Sequence, residues 1–237
     1  MSFRFRPVLA LATLAALVAL LALGAWQLER RAWKRALIAE AELNSNGPAI
    51  AFDEAVARAR AGERAEYQRV ELRGVFAHDL EARIFGTEGG AAGAYLFTPL
   101  DAPAPDGGRR FVYVNRGFVP ETVDAGSVSR PEGEVRVEGL FRAGEVRTGF
   151  SAFFAPEDQP SDNLWFTRDP LRLAAHHGLE TVPFLIDSAG LESAGSWPKG
   201  GTTRLDFPNR HLEYALTWFG LAGALLAVYL AMSVKRR

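Results

Sequence analysis

The chain has 237 residues, of which 48% are hydrophobic and 23% are charged, and its formal net charge is -1. Cysteine is absent and the only methionines are Met1 and Met232, which excludes structural disulfides and thiolate metal sites and leaves almost nothing for copper ligation. The stretch Glu29–Arg210 carries 22 basic and 27 acidic residues, and this net charge of -5 does not suit a nucleic-acid-binding protein.

The first predicted element is a membrane-spanning helix near the beginning of the chain. Pro7–Leu28 carries no charged side chain, and about 20 apolar residues suffice for a helix to cross a bilayer. Trp26 lies at its end, where aromatic rings favour the headgroup boundary. A secretory signal peptide is the alternative, because Ala22-Leu23-Gly24 resembles a cleavage site, but its apolar region should be only about 7–15 residues long. Helical spacing continues to the turn formers of Asn44–Pro48, so we expect an uncleaved anchor.

The polar middle of the chain predicts an antiparallel α+β domain. In Tyr67–Phe76, apolar and charged residues alternate with the period of a half-buried strand. Further strands are predicted at Ala94–Leu100, Phe111–Pro120, Glu134–Phe141 and Val182–Ser188. Helices are predicted at Phe52–Glu63 and at Asp169–Leu179, the latter with Pro170 in its first turn and Gly178 at its end. The glycine-rich stretch Gly86–Gly93 is interpreted as a flexible loop.

Motifs that carry catalysis are absent from the sequence. It contains no GxSxG, HExxH, P-loop or Rossmann glycine pattern. His176 and His177 are adjacent and point about 100° apart on a helix, so they suit a solvated helix C-terminus better than a two-histidine metal site. His78 follows a strand, where the polarity of a turn accounts for it. We therefore expect a protein that is not an enzyme, with a membrane-tethered enzyme of unrecognised site as an alternative.

The last predicted element is a second membrane-spanning helix. Tyr214–Val234 comprises 21 residues without a charge, and Tyr214 and Trp218 near its start suit the membrane boundary. A buried core helix of a soluble domain is the alternative. The two spans divide the chain into a cytoplasmic N-terminus (1–6), a first span (7–28), an extracytoplasmic domain (29–210), a second span (211–234) and a cytoplasmic tail (235–237).

Basic residues at the two ends of the chain set the expected orientation. Arg4 and Arg6 precede the first span and Lys235–Arg237 follow the second, which places both tails in the cytoplasm. The cations of Arg30–Arg35 follow the first span and oppose this arrangement, so charge around that span alone does not decide the topology. No Arg- and Ser-rich transit segment precedes the first span, so we expect a bacterial inner membrane with a periplasmic domain rather than a mitochondrion.

Several motifs, in order along the chain, resemble those of one family. They are Gly24-Ala25-Trp26-Gln27 with Arg30, Trp33 and Lys34, then EYQRVELRGVF, NRGFVP, PEGEVRVEGLF, DNLWFTRDP and GGTTRLDFPNRHLEYALTWF. Their order, with one span at each end, resembles the surfeit-locus-one (Shy1-type) proteins, which assist the assembly of cytochrome c oxidase. The departures are Asn209-Arg210, where the family has two asparagines, and Leu164–Thr167, where it has a more aromatic cluster.

The resemblance implies an accessory role in building the haem-bearing subunit of the oxidase. Bacterial members are similar to factors that hold haem a, which implies His211 as an axial ligand of the haem iron. The expected partners are the lipid bilayer, the haem-bearing subunit and the haem a synthase as a source of haem; no nucleic acid is expected. A ligand-free scaffold that docks and stabilises oxidase subunits is the alternative function.

The residues around His211 suit such a ligand. On a helix, His211, Tyr214 or Ala215, Trp218 and Ala222 form one stripe, which we expect to face the macrocycle. Arg30, Arg31 or Arg210 can pair with haem propionates, and Trp26 ends the first span near the same membrane boundary. Small residues are expected to let the two spans approach closely, namely Ala15, Ala19, Gly220 and Ala224. A histidine that is simply solvated at the membrane boundary is the alternative interpretation.

Overall fold

The structure of the protein, a computed structural model, describes residues 2–3, 6–146, 148, 153–191, 196–203 and 205–235. Arg4, Arg236 and Arg237, three of the cations on which the predicted orientation depends, lie outside the described residues. The chain divides into two compact units. The first comprises Met1–Glu40 and Asp206–Arg237, and the second comprises Ala41–Leu205.

The described helices and strands agree closely with the segments predicted from the sequence. The helices are α1 (Pro7–Asn46), α2 (Phe52–Arg60), α3 (Pro170–His177) and α4 (His211–Ser233). The strands are β1 (Ser2–Phe3), β2 (Ile50–Ala51), β3 (Arg69–Phe76), β4 (Ala82–Glu88), β5 (Ala91–Pro103), β6 (Arg109–Pro120), β7 (Glu134–Ala143), β8 (Leu164–Trp165), β9 (Thr181–Ser188) and β10 (Val234–Lys235). All five predicted strands and both predicted domain helices are present, which confirms the α+β class.

Two long apolar helices, α1 and α4, dominate the first unit. Both are long and apolar enough to cross a membrane, and only 6% and 11% of their most apolar stretches are buried. Neither is therefore the core helix of a soluble domain. Near the chain ends, β1 and β10 pair antiparallel, with Ser2 opposite Lys235 and Phe3 opposite Val234. This pairing brings the beginning and the end of the chain together, as two antiparallel spans require.

The packing of α1 against α4 depends on other small residues than those predicted. Ala15, Ala19, Gly220 and Ala224 are exposed, so the prediction that they form the helix contact is wrong. The buried small residues of α4 are instead Ala215, Ala222 and Ser233, which are 1%, 3% and 1% exposed. On α1, a Cβ added to Gly24 would lie 2.5 Å from Cε1 of Phe219. The stripe that meets the partner helix therefore runs along a different face of each helix from the one we expected.

The second unit is built around a ring of five strands. Its sheet has the order β2-β3-β7-β9-β6-β5-β4-β8, and an additional pairing of β3 with β5 closes β3, β7, β9, β6 and β5 into a ring. Strand β5 is long enough to pair with β4 through its first half and with β3 through Leu100 and Asp101. Most pairs are antiparallel, as predicted, but β6 pairs parallel with β9. The domain is thus a small closed barrel with a mixed sheet.

Strand β6 separates two apolar cores. Val112 and Val114 belong to one cluster, which α2 covers. Tyr113 and Phe118 belong to the other cluster, which α3 covers. Positions 112–119 are all buried, whereas the sequence predicted a half-buried strand. The difference arises because helices cover both faces of this strand, so neither set of alternating side chains meets water.

The glycine-rich stretch Gly86–Gly93 forms a hairpin, so the prediction of a flexible loop is wrong. Strands β4 and β5 pair up to Glu88 and Ala91, and the turn between them contains Gly89 and Gly90 with φ of +58° and +85°. Glycine adopts these angles without the steric cost that other residues incur. Glycine content here marks a turn and close packing rather than a disordered loop.

Candidate functional site

His211 is fixed by a hydrogen bond to a side chain of the other long helix. It is the first residue of α4 and is half-buried. Its Nδ1 lies 2.7 Å from Oε1 of Gln27. Because a carbonyl oxygen only accepts hydrogen bonds, this geometry makes Nδ1 the donor, and Nε2 of a neutral imidazole is then the nitrogen with a lone pair. Metal-binding histidines are commonly oriented in this way by a carbonyl or carboxylate acceptor.

The described contacts of the other predicted site residues do not involve His211. The Arg30 guanidinium lies over the ring of Trp33, with Cζ 3.7 Å from the ring centre. Arg210 is the N-cap residue of α4, and its side chain caps no backbone group. Trp26 and Tyr214 are 53% and 55% exposed, and Trp218 is half-buried. Within the described residues, none of these five side chains forms a hydrogen bond or an ion pair with His211.

The expected macrocycle-facing stripe of α4 is occupied by helix packing. Ala215 and Ala222 are buried within the first unit, so they cannot form a contact surface for a planar ligand. The close approach of Gly24 and Phe219 leaves no space for a macrocycle between the helices at that level. Of the predicted stripe, His211, Tyr214 and Trp218 stay accessible in whole or in part. A ligand of His211 must therefore lie outside the helix contact.

The polar end of the helix pair, which we define as Gln27, Arg30, Arg31, Lys34, Arg210 and His211, is rich in cations. Lys34 Nζ donates a hydrogen bond to the carbonyl of Pro208, in the segment that leads into α4. Among the described residues, neither Arg30, Arg31 nor Arg210 has an ion-pair partner. These guanidinium groups remain available to carboxylates from outside the first unit.

Gln27 is the site residue that sequence reasoning missed. It belongs to the Gly24–Gln27 motif of the resemblance, but no role was assigned to it. The sequence did indicate a role for Gln27, because this residue is an amide side chain at the end of an otherwise apolar run. Such a group in a span seeks a hydrogen-bonding partner on a neighbouring helix. Identifying His211 as that partner required the helix register.

Among the residues that the structure describes, the domain contains no cluster of side chains suited to a metal ion. No group of three or more His, Asp and Glu side chains there could hold a metal ion. His176 and His177 end α3 before Gly178, which has a left-handed conformation, as predicted. Burial lowers the pKa of His177, and the charge of His176 adds to this effect. His78 lies in a half-buried turn, where Nε2 is 2.9 Å from the carbonyl of Pro131.

Comparisons with known proteins identify the family of the chain. The SURF1 family model matches residues 14–223. Surfeit locus protein 1 of Xenopus tropicalis is 33% identical over 241 residues, which cover 92% of this chain and 74% of that protein. Surfeit locus protein 1 of Homo sapiens is 35% identical over 224 residues, covering 85% and 70%. A SURF1-like protein of Monosiga brevicollis is 32% identical over 230 residues, covering 90% and 83%. The chain therefore belongs to the SURF1 family.

Proposed function

We propose that this protein is a membrane assembly factor for cytochrome c oxidase that binds haem a through His211 and presents it to the haem-bearing subunit. Membership of the SURF1 family and two helices able to cross a membrane support the assembly role. The hydrogen bond between His211 Nδ1 and Gln27 Oε1 is the observation that carries the haem part. The role is non-enzymatic, and the haem a synthase is the proposed source of the ligand.

The donor set at the polar end fits a haem. His211 Nε2 would be the atom that holds the iron, since Nδ1 is engaged by Gln27. Arg30 and Arg210 can bind the two propionates, because guanidinium groups suit carboxylates and these two are exposed. Trp26, Tyr214 and Trp218 provide aromatic surface at the same end of the helices. When bound, haem a would supply an iron that accepts the imidazole lone pair.

The proposed location is the bacterial inner membrane, with residues 7–28 and 211–234 as spans. The pairing of β1 with β10 supports tails on one side of the membrane. The basic residues at both ends support the cytoplasm as that side. Residues 29–210 then form a periplasmic domain. Its lack of cysteine means that this domain depends on its two apolar cores rather than on disulfides.

The optical spectrum of the full chain, purified from haem-a-producing membranes, tests this proposal. We expect a haem a absorption band in the wild type and its loss in His211→Ala at equal protein yield. Gln27→Leu removes the acceptor that orients the imidazole but leaves the ligand atom in place. Loss of such a second-sphere partner typically weakens metal affinity by about 10–100-fold. We therefore expect Gln27→Leu to bind haem a with reduced affinity.

His176→Gln is the matched control, because it removes an exposed histidine of the domain. Its haem a content should equal that of the wild type. A wild-type protein free of haem from such membranes, which still copurifies with an oxidase subunit, would contradict the haem part and favour the ligand-free scaffold. Equal haem a in the wild type and in His211→Ala would remove His211 as the ligand.

A further inference from the structure

A polar cavity of about 370 Å³ lies within the Ala41–Leu205 unit and includes no residue of the site described above. Its lining contains two arginine–tyrosine pairs. Arg142 Cζ lies 4.7 Å from the ring centre of Tyr67, and Arg168 Cζ lies 4.8 Å from that of Tyr95. Sites for small molecules typically measure about 300–1,000 Å³. The cavity is therefore large enough for a small polar molecule.

The carboxylate in the lining is already saturated with hydrogen bonds. Asp187 Oδ1 accepts from Asn115 Nδ2 at 2.9 Å. Its Oδ2 accepts from Arg142 Nη1 and from Thr203 Oγ1, each at 2.8 Å. Since both oxygens have partners and Asp187 is buried, this carboxylate is a fixed part of the wall. The carboxylate therefore needs no ligand to complete its hydrogen bonds.

The charge of Arg142 is also balanced within the protein. Its Nε donates to Glu66 Oε1 at 2.7 Å, in addition to the bond from Nη1 to Asp187. Burial opposes the charge of Arg142, but Asp187 and Glu66 outweigh this effect and raise its pKa above the ordinary value. Arg142 therefore stays cationic, and its two carboxylates leave it little capacity to neutralise a further anion.

Arg168 differs, because its charge has no counter-ion among the described residues. Within the described residues its guanidinium forms no ion pair or hydrogen bond, and its side-chain contact is the ring of Tyr95. It is only partly exposed, so water does not solvate it as fully as a surface arginine. The hydroxyl of Thr202, also in the lining, forms no hydrogen bond among these residues. The cavity thus presents unused donors and few unused acceptors.

The backbone holds Arg168 in place on both sides. The N–H groups of Phe166 and Thr167 donate to Asp158 Oδ1 at 2.7 and 3.2 Å. Asp169 caps α3 by accepting from the N–H of Leu171 at 3.0 Å. The contact with the Tyr95 ring restricts the guanidinium itself, and a restricted donor loses less conformational entropy when it binds a ligand. The donor is therefore preorganised.

Tyr67, beneath Arg142, has an unfavourable backbone conformation. Its φ is +64°, in the left-handed region that tyrosine rarely adopts. Such a conformation costs about 1–2 kcal/mol and persists where the surroundings enforce it. Here the N–H of Tyr67 donates to the carbonyl of Phe141 at 2.9 Å, which fixes the residue at the cavity wall. Strain of this kind is typical of ligand sites.

We propose that this cavity is a binding site for a small oxyanion, a carboxylate or a phosphate group, which pairs with the Arg168 guanidinium. An arginine fork donates two parallel hydrogen bonds to either group. Glu145 also lines the space around Arg168, and its carboxylate is exposed. This negative charge weakens the affinity for an anion, so the site selects its ligand by fit as well as by charge.

Isothermal titration calorimetry of the full chain in phosphatidylcholine nanodiscs tests the site. Inorganic phosphate and acetate are titrated at constant ionic strength, with chloride as the reference anion. We expect saturable binding of at least one oxyanion and none of chloride. Arg168→Gln should weaken this binding about tenfold or more, because it removes the charge and the fork. Glu145→Gln should strengthen it severalfold, because it removes a competing charge.

Arg83→Gln is the matched control, since Arg83 is an exposed arginine of β4 outside the cavity lining. Its affinity should stay within about twofold of the wild type, because exposed charges contribute little. Arg168→Lys retains a charge without the fork and should give an intermediate affinity, which keeps the test valid if Arg168→Gln fails to fold. Absence of saturable binding, or equal losses in Arg83→Gln and Arg168→Gln, would overturn the proposal.

The oxyanion can be a soluble molecule or a phospholipid headgroup, which share the same chemistry. The titration is therefore repeated in nanodiscs that contain phosphatidylglycerol. Competition with added phosphate would assign the site to a headgroup. Unchanged affinity would assign it to a soluble ligand.

Discussion

The two units of this chain distribute their apolar side chains in opposite ways. In the first unit the large apolar residues are outside, as in Val8 and Leu11, which are 82% and 70% exposed. In the second unit such residues are inside, as in Phe52, Val70 and Leu100, each 0% exposed. The first pattern suits a hydrocarbon environment and the second suits water. A large apolar residue is therefore typically exposed in the first unit and buried in the second.

Buried polar side chains, in contrast, form similar pairs in both units. Gln27 and His211 satisfy each other where the two long helices meet. In the domain, several buried polar groups pair with one another, and Arg116 with Glu81 is a clear case, with Nη1 3.3 Å from Oε2. Most polar groups that are removed from water in either unit have a partner. The hydroxyls of Tyr113 and Ser233 and Oδ1 of Asn209 are buried without one among the described residues. Substitutions that remove such contacts in each unit test this comparison between the two units.

The largest effect is expected for Arg116→Ala in the domain. The side chains of Arg116 and Glu81 are 0% and 9% exposed. Removing the cation leaves a buried carboxylate without its charge partner, which typically costs about 3–5 kcal/mol of unfolding free energy. Urea unfolding of the full chain, followed by tryptophan fluorescence, measures the loss. The matched control is Arg136→Ala, whose arginine is 51% exposed and pairs with Glu71 and Glu138.

We expect Arg136→Ala to change the unfolding free energy by about 1 kcal/mol or less, because exposed ion pairs contribute little. Equal losses in the two variants would mean that burial does not set the strength of these pairs. Ion pairs in the interior of the domain would then stabilise it no more than ion pairs on its surface.

An intermediate effect is expected for Gly24→Leu in the first unit. The new side chain collides with the Phe219 ring, and overpacking of this kind typically costs about 1–3 kcal/mol. Far-UV circular dichroism during unfolding in mixed detergent micelles measures the change. Gly220→Leu is the control, because a Cβ there meets no atom within 4 Å. Adding Phe219→Ala should recover part of the loss, and failure to do so would refute the helix contact.

The smallest effect is expected from pH, through His177. Burial and His176 lower the pKa of His177 in the folded protein. The unfolded chain therefore binds a proton more readily, and the stability contributed by the neutral imidazole is present above about pH 6.5 and decreases as the pH falls below it. Urea midpoints between pH 7.5 and 5 should decrease slightly less in His177→Gln than in the wild type. Identical pH dependence of the urea midpoint in the wild type and in His177→Gln would contradict the attribution of this effect to His177.

The sequence predicted the helices and strands well, but it predicted poorly which strands pair and which side chains contact each other. Alternation located β3, because one face of this strand packs on a core and the other meets water. The ring could not be predicted, since it depends on Phe76 pairing with Leu100, which no local pattern encodes. Gly86–Gly93 was misinterpreted because the sequence does not reveal that the Tyr95 ring lies over Gly86, where a Cβ would be 2.4 Å from Cε2.

The same limit applies to the sites. His211 was identifiable from its place at the start of an apolar run and from the resemblance. Its partner Gln27 was not, because the register of the two helices depends on how Phe219 meets Gly24. The cavity around Arg168 escaped prediction entirely. Its walls come from distant segments, with Asn115 on β6, Arg142 on β7 and Asp187 on β9.

The position of β9 in the sheet constrains the order in which the domain can be completed during synthesis. Strands β6 and β7 each pair with β9, which is made last of the three. Until Thr181–Ser188 emerges, both neighbours retain an unpaired edge that can capture another strand. A product that stops prematurely between Ala143 and Thr181 would contain four of the five barrel strands yet could not close. Strand β9 thus completes a structure begun over a hundred residues earlier, at β3.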